Sequence, residues 1–228
     1  MEKKFQIHKE GKTPLARIFS VLVFINLINF IFLTDTYFTT IFFFISVLFF
    51  AMTLNFYRSP DRTYKGDLHG LVNAPTDGRI VTIEKVTEKE FLHDERIKIS
   101  IFMSLFNAHA NWVPVTGKIV HQSHVDGNFH AAYLPKSSSE NEHTNILIET
   151  PEYGLILTKQ IAGAMARRII TYVKEGEEVH IGSPLGFIKL GSRMDIYLPP
   201  DSDILVDIGE EVRANVTFLA RLSKQVQE

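Results

Sequence analysis

Two apolar segments at the amino-terminal end constrain the fold of this chain more than any other feature. They cover residues 18–33 and 37–54, and only three residues separate them. As helices they are about 24 and 27 Å long, slightly short of the ~30 Å hydrocarbon core of a bilayer. The pattern therefore predicts a membrane hairpin, which either spans a thin region or enters the bilayer and returns.

Basic residues flank this pair of segments on both outer sides, and the short loop between the segments has no cation. The basic residues before the pair are Lys3, Lys4, Lys9, Lys12 and Arg17, and those after it are Arg58, Arg62 and Lys65. Because cytoplasmic flanks of membrane segments are enriched in Lys and Arg, both ends are expected in the cytoplasm. A cleaved signal peptide is disfavoured, since no small-residue cleavage site follows and a second apolar segment does. A buried core hairpin is less favoured still.

Composition separates the hairpin from an ordinary soluble remainder. The chain has 228 residues, and 11 of its 18 phenylalanines lie between Phe19 and Phe56. A net charge of -2 gives no reason to expect a nucleic-acid partner. The absence of cysteine excludes disulfides, thiolate metal sites and a catalytic thiol.

The remainder reads as a mainly β domain. Short β-like runs such as "RIVTIEKV" and "RIKISIFMS" alternate with turns, and no further helical period is obvious. The heptapeptide "VKEGEEV" recurs 33 residues later as "VDIGEEV", and its glutamates are expected to be solvated turn residues. We predict an α+β chain, with a membrane hairpin and linker at 1–62 and a β-rich domain at 63–228. That domain is expected to be a sandwich or barrel with an internal pseudo-repeat, of the sort seen in biotinyl and lipoyl modules.

The stretch "KLGSRMDIYLPP" raises a chemical question. Its apolar residues fall on even positions, as in a strand with one buried face, and Ser192 is the only polar residue in that row. One reading is a buried serine bonded to a neighbouring carbonyl. The other uses Gly191, whose unhindered carbonyl and tolerance of strained backbone angles favour attack by the adjacent hydroxyl. The second reading implies self-cleavage.

Four motifs in order decide between these readings through a resemblance. They are "NAPTDGRI", "FNAHANWVPVTGKI", "KQIAGAMARRI" and "LGSR", and they follow a hairpin that ends in "FYRSPDR". Together they resemble the short bacterial phosphatidylserine decarboxylases over almost the whole chain. The resemblance implies a proenzyme whose serine oxygen attacks the preceding carbonyl, so that elimination and hydrolysis leave a pyruvoyl group at residue 192.

The same resemblance implies the products of processing and the reaction. Cleavage between Gly191 and Ser192 would give a 191-residue chain and a 37-residue chain (228 - 191 = 37) that stay together noncovalently. The pyruvoyl cofactor would form a Schiff base with phosphatidylserine, release carbon dioxide and yield phosphatidylethanolamine. The expected partners are thus the lipid and the membrane, and a homo-oligomer remains open.

The resemblance also assigns site residues. Asp77 stands in the place of the family's processing aspartate, and His109 matches the first histidine of its His-x-x-His-x-Pro pattern, whereas Trp112 replaces the second. Gly163 and Ala164 match a small-residue turn beside the reactive site. Arg167 or Arg168 is expected to bind the lipid phosphate or to be a surface pair. No metal is expected, because His121 and His124 would lie on opposite faces of a strand.

Two other functions remain open at this point. A membrane adaptor of biotinyl or lipoyl type would explain the repeat and the hairpin, but the repeat turns offer no lysine for attachment. A membrane serine hydrolase would use Asp77, His109 and Ser192, but it would normally hold its serine at an exposed turn, and the G-x-S-x-G elbow is missing.

Overall fold

The chain folds into two units that are divided in sequence between Asp61 and Arg62. The boundary lies one residue before the one predicted. The computed structural model describes residues 6–33, 35–62, 64, 66–132, 137–164, 168–189 and 191–224, with only the backbone of residue 139. The first unit is helical and the second is mainly β, in agreement with the predicted α+β class.

The first unit is a helical hairpin. Its long helices are α1 (Lys12–Phe32) and α2 (Thr36–Phe56), preceded by a short 3-10 turn at Lys9–Gly11. Each long helix has 21 residues, or about 32 Å, because the helices extend beyond the apolar runs. Asp35 caps α2 by accepting N–H bonds from Tyr37 and Phe38, which explains the sharp restart after the loop. Both helices are long and apolar enough to cross a membrane, which supports membrane association.

The second unit contains fourteen strands and one short helix, α3 (Ser137–Glu140), among its described residues. The strands are β1 (Leu71–Asn73), β2 (Gly78–Glu88), β3 (Asp94–Met103), β4 (Ala110–Trp112), β5 (Gly117–Val125), β6 (His143–Thr150), β7 (Gly154–Ala162), β8 (Ile169–Thr171), β9 (Glu178–Val179), β10 (Pro184–Ile188), β11 (Ser192–Leu198), β12 (Asp203–Ile204), β13 (Glu211–Val212) and β14 (Phe218–Arg221).

These strands form one large and two small antiparallel sheets. The large sheet has the order β13-β2-β3-β11-β7-β6-β5-β9, and the small sheets have the orders β1-β14-β12 and β4-β10-β8. Isoleucines from β3, β6 and β11, such as Ile99, Ile146 and Ile196, are fully buried in one shared apolar core. Residues of the smaller sheets belong to the same core, and burial of this apolar surface stabilises the fold.

The two copies of the repeated heptapeptide occupy equivalent places at the two ends of the large sheet. The Gly176 N–H donates to the carbonyl of Ile119 at 2.8 Å, and the Gly209 N–H donates to that of Ile80 at 2.8 Å. Glu177 and Glu210 are exposed, and the carboxylate of each accepts an N–H bond from three residues upstream. The glutamates therefore shape their turns while remaining in solvent.

The prediction of one buried face for β11 is wrong, because both faces are buried. Met194 and Ile196 enter the main core, while Arg193 and Asp195 on the opposite face are 1% and 0% exposed. Arg193 Nε donates to Asp195 Oδ1 at 2.6 Å, and Ser138 from α3 donates to Asp195 Oδ2 at 2.8 Å. Burial opposes ionisation of Asp195, but the hydrogen bond and charge of Arg193 outweigh it and keep the pKa of Asp195 low. Pairing of the two charges is what allows this face to be covered.

Candidate active site

Ser192 is the first residue of β11 and lies in the middle of the large sheet. It pairs with Met103 at the end of β3 on one side and with Ala162 at the end of β7 on the other. Its side chain is fully buried, and Oγ donates to Met103 Sδ at 3.5 Å. A thioether is a weak acceptor, so this contact places the hydroxyl without holding its proton strongly.

The peptide bond before Ser192 is shaped by two glycines, Gly191 itself and Gly163 from the turn after β7. Gly191 has φ +61°, in the left-handed region that favours glycine. A Cβ placed on Gly163 would lie 2.1 Å from the carbonyl oxygen of Gly191 and 2.9 Å from its carbonyl carbon. Any side chain at 163 would therefore displace the peptide bond before Ser192. The Gly191 carbonyl is held against the turn that follows β7.

Three polar side chains converge on the sulfur of Met103. In addition to Ser192, Thr76 Oγ1 donates to this sulfur at 2.7 Å, and Asn111 Nδ2 lies 3.8 Å from it. Thr76 directly precedes Asp77, and Asn111 is two residues beyond His109. The segments that carry the two sequence-predicted partners thus reach the same atom as the serine.

Asn111 is also the end of a chain of hydrogen-bonded polar side chains that the sequence interpretation missed. Gln160 Nε2 donates to Asn111 Oδ1 at 2.9 Å, and Thr171 Oγ1 donates to Gln160 Oε1 at 2.8 Å. The chain links three strands, β4, β7 and β8, and fixes the orientation of the Asn111 amide. In the sequence, the signal for Asn111 was its spacing of two residues from His109, which puts both on one face if "HANWVP" is extended.

His109 is fully buried, and its hydrogen bond defines the tautomer. Nδ1 lies 2.9 Å from the carbonyl oxygen of Asn107, so this nitrogen carries the proton and donates it. The lone pair of the neutral ring is therefore on Nε2. Burial lowers the pKa of His109 to about 4, although the Asn107 carbonyl and the charge of Asp77 partly oppose the shift. At neutral pH the ring is an uncharged base.

Asp77 is held by a buried arginine as well as by the backbone. Arg62 Nη1 donates to Asp77 Oδ1 and Nη2 donates to Oδ2 at 3.1 Å, while the Ala214 N–H donates to Oδ1 at 2.9 Å. The side chains of Arg62 and Asp77 are only 6% and 5% exposed. Sequence interpretation used Arg62 only as an orientation charge. The sequence feature that could have identified Arg62 was its place at the end of "SPDR", where the β-rich unit begins.

The remaining predicted residues are placed unevenly around this centre. Gly163 touches the Gly191 carbonyl, whereas Ala164 is exposed in the next turn. Arg168 is exposed, and its carbonyl accepts the N–H of Lys189 at 3.2 Å. Arg167 lies outside the described residues. Trp112 is buried in β4 opposite Pro184.

Histidines elsewhere in the β-rich unit have other neighbours. His124 Nδ1 lies 3.2 Å from Thr144 Oγ1, and His130 Nε2 forms an ion pair with Glu140 at 3.0 Å when protonated. In the part of the chain that the structure describes, no group of three or more His, Cys, Asp or Glu side chains is arranged to hold a metal ion.

Comparison with known proteins places this arrangement in context. The sequence profile of a family described as phosphatidylserine decarboxylase matches residues 49–220. A phosphatidylserine decarboxylase proenzyme of Parabacteroides distasonis is 48% identical, over 96% of this chain and 100% of the relative. Proteins of the same name from Bacteroides thetaiotaomicron and Amoebophilus asiaticus are 45% and 38% identical, over 96% and 98% of this chain and 96% and 99% of the relatives.

Proposed function

The chain belongs to the phosphatidylserine decarboxylase family, and from this premise we propose that its self-processing site is the Gly191–Ser192 peptide bond. The enzyme is a carboxy-lyase that converts phosphatidylserine to phosphatidylethanolamine and carbon dioxide. Neither a serine hydrolase nor a biotinyl-type adaptor is favoured by any feature of the described residues.

The proposed processing is an acyl shift followed by elimination. Ser192 Oγ attacks the carbonyl carbon of Gly191, its proton passes to a base, and the Gly191–Ser192 C–N bond breaks to give an ester and a free amine. Loss of the Ser192 α-proton then breaks the Cβ–O bond and releases Gly191 as a carboxylate. Residue 192 is then a dehydroalanine, which tautomerises to an imine when Cβ takes up a proton. Water hydrolyses this imine and ammonia leaves, so residue 192 becomes a pyruvoyl group.

The close approach of Gly163 to the Gly191 carbonyl is the observation that carries this proposal. A buried serine in a purely structural role requires neither a left-handed glycine before it nor a second glycine against that glycine's carbonyl oxygen. Together these glycines leave the carbonyl in a fixed position next to the hydroxyl. This is the arrangement expected for attack on the chain's own peptide bond.

We assign the base to His109 Nε2 and a positioning role to Asp77. The charge of Asp77 acts on the His109 ring and favours its protonated form, which would arise when Ser192 loses its proton. Arg62 holds Asp77 in place through two hydrogen bonds. The same histidine is proposed as the proton donor in decarboxylation.

Residue 192 is a suitable place for a pyruvoyl cofactor, because Ser192 lies in an apolar strand face with no access to bulk water. That group would supply a ketone that condenses with the amine of the lipid and accepts the electrons left by carbon dioxide. Met103 and Met194 are fully buried in the same core and would limit the access of competing water, and the Asn111 amide points to the Met103 sulfur.

Several finer features complete the proposal. Processing gives two chains that stay associated, and the β-rich unit faces the cytoplasm because the hairpin has basic residues only on its outer flanks. Arg168, which is exposed near the chain leading to Gly191, is the described candidate for binding the lipid phosphate. The equivalent turns at Gly176 and Gly209 support a pseudo-symmetric origin of the large sheet.

Mass analysis of the purified protein tests the assignment. We expect two chains, the smaller of 37 residues (228 - 191) and lighter by one ammonia than the same peptide with an amino-terminal serine. Ser192→Ala should give one uncut, inactive chain. Ser100→Ala is the matched control, because Ser100 is fully buried in the neighbouring strand β3, and this variant should be cut normally.

Gly163→Ala tests the close approach separately. The added methyl group would meet the Gly191 carbonyl oxygen at 2.1 Å, so we expect a folded precursor that is cut at least about tenfold more slowly. An active wild-type preparation that contains a single chain would overturn the proposal, as would normal cutting of Ser192→Ala.

A further inference from the structure

One end of the large sheet collects the residues that surround the reactive bond. Strand β11 begins there at Ser192, between the ends of β3 at Met103 and β7 at Ala162. The register continues outward, since Ile161 of β7 pairs with His143 of β6, which pairs with Val125 at the end of β5. Loops that follow β3, β5 and β7 therefore emerge at the same end, which we call the Ser192 edge.

The loops of the Ser192 edge expose large apolar side chains. Leu105 and Phe106 follow Met103 directly, with 39% and 67% of their surface exposed, and Phe129 in the loop after β5 is 44% exposed. Val216, at 45%, lies in the loop whose Ala214 N–H binds Asp77. Among the described residues of the β-rich unit, four of the seven large apolar side chains classed as exposed thus belong to this edge.

Both aromatic loops are fixed by hydrogen bonds. Asn107 Oδ1 accepts the N–H of Ser104 at 2.9 Å and its hydroxyl at 2.7 Å, which closes the loop that presents Phe106. Asn141 Nδ2 donates to the His130 carbonyl at 2.8 Å and to the Ala162 carbonyl at 2.6 Å, so the loop of Phe129 is tied to the residue that pairs with Ser192. Exposed aromatic residues on ordered loops indicate a surface that is covered in use.

We propose that the Ser192 edge is a membrane-docking surface, in which Leu105, Phe106 and Phe129 insert into the bilayer beside the reactive residue. The inference rests on the proposed position of the reactive bond. The substrate of the family is a lipid, whereas Ser192 is buried at the start of a central strand. Direct insertion of the loops would let the headgroup reach residue 192 while the acyl chains stay in hydrocarbon.

Charge at this edge agrees with a lipid phosphate as the polar partner. Arg168 is exposed, and its backbone bonds to Lys189, two residues before Gly191. The acidic residues near Phe129 face histidines, as Glu140 pairs with His130 at 3.0 Å and Asp126 lies 3.7 Å from His124. Near the reactive bond, the described charged residues that are not buried are thus the cations Lys189 and Arg168, whereas the acidic residues lie near Phe129 and beside histidines.

The absence of cysteine permits a direct measurement of depth. Single variants Phe106→Cys and Phe129→Cys, made in the full chain, are labelled with a nitroxide and reconstituted in vesicles of phosphatidylcholine and phosphatidylglycerol. Ile208→Cys is the matched control, because Ile208 is 64% exposed on the turn beside Ile80 at the side of the sheet. We expect labels at 106 and 129 to be accessible to oxygen and shielded from a polar relaxation agent, and the label at 208 to show the reverse.

A kinetic experiment gives an independent readout. Replacing Leu105 and Phe106 together by serine should lower kcat/KM on phosphatidylserine vesicles by about tenfold or more, from the apolar area no longer buried. Turnover of a short-chain, soluble phosphatidylserine should be unchanged, as should both activities of Ile208→Ser. Equal losses on the two substrates would overturn the proposal.

The depth measurement does not depend on processing or turnover, so it distinguishes this inference from the proposed function. Labels at 106 and 129 that are as water-accessible as the label at 208 would overturn it. Spin–spin broadening between labels at 106 in detergent would indicate that a second copy of the chain covers this edge, and would also overturn it.

Discussion

Met103 organises the candidate site at the level of single residues, although no sequence pattern distinguishes it from a core methionine. Its sulfur receives the hydroxyls of Thr76 and Ser192, and the amide of Asn111 lies close by. A flexible, polarisable side chain can contact all three without competing strongly for their protons. Substitution by leucine would keep the volume and remove an acceptor that the three share.

His109 gives the clearest pH prediction. If neutral Nε2 takes the Ser192 proton, the rate of processing follows the neutral fraction of a group whose pKa is lowered to about 4. The rate should thus be flat from pH 8 down to about 5 and should fall below that, as the ring becomes protonated. Pulse-labelled precursor chased at different pH values measures it. A midpoint near the ordinary histidine pKa of about 6.5 would contradict the assignment.

The companion variant is His109→Gln, which keeps a buried polar side chain without a base. We expect processing to slow by about 100-fold or more. Normal cutting and normal turnover in this variant would move the role to another histidine, such as His124 or His130.

Arg62 provides a second prediction at this scale. Arg62→Ala would leave the buried Asp77 carboxylate without its bidentate partner, so we expect processing to slow at least about tenfold. Arg62→Lys should recover part of the rate, because it keeps the charge and loses the fork. Arg58→Ala is the matched control, since Arg58 is also a basic residue after α2 and its side chain bonds to Asn55. If Arg62→Ala and Arg58→Ala are processed at the same rate, Arg62 does not position Asp77 and is only a basic residue that flanks the hairpin.

At the scale of elements, the hairpin and the β runs could be predicted because each has a local period and a local composition. The helices exceed the apolar runs, since Asp35 caps α2 and polar first-turn residues are tolerated at helix ends. The second buried face of β11 could not be predicted. Its cover depends on Ser138, which is distant in sequence, and on an ion pair between Arg193 and Asp195 of β11 itself.

Removing the hairpin tests its role as an element. Deleting residues 1–57 removes both long helices and keeps Arg62 with the β-rich unit. We expect release from membranes and a loss of turnover on vesicles that is at least about tenfold larger than the loss on a soluble short-chain substrate. Sedimentation with vesicles and the two rates measure it. Equal losses on both substrates would indicate that the hairpin is needed for folding.

At the scale of the whole molecule, the class and the family were accessible from sequence, and the confluence of segments around Ser192 was not. Asp77, His109 and Ser192 could be predicted as site residues, because three of the four ordered motifs contain them. Arg62, Asn111 and Gln160 were missed, because their side-chain contacts join separate segments of the chain: Arg62 bonds to Asp77, and Gln160 bonds to Asn111. The order of the strands in the large sheet depends on these long-range contacts, which no local pattern specifies.

The central position of β11 has a consequence for how the enzyme responds to dilution. Cutting before Ser192 would leave β11 to β14 on a separate chain, although β11 lies between β3 and β7 and β13 pairs with β2. Unfolding of the mature enzyme then becomes a dissociation governed by mass action. We expect its thermal midpoint to rise with protein concentration, while the midpoint of uncut Ser192→Ala stays constant. Calorimetry over an about hundredfold range of protein concentrations measures both midpoints. Identical concentration dependence would contradict this. The uncut precursor could refold as a single chain, whereas the mature enzyme could refold only when both of its chains are present at sufficient concentration.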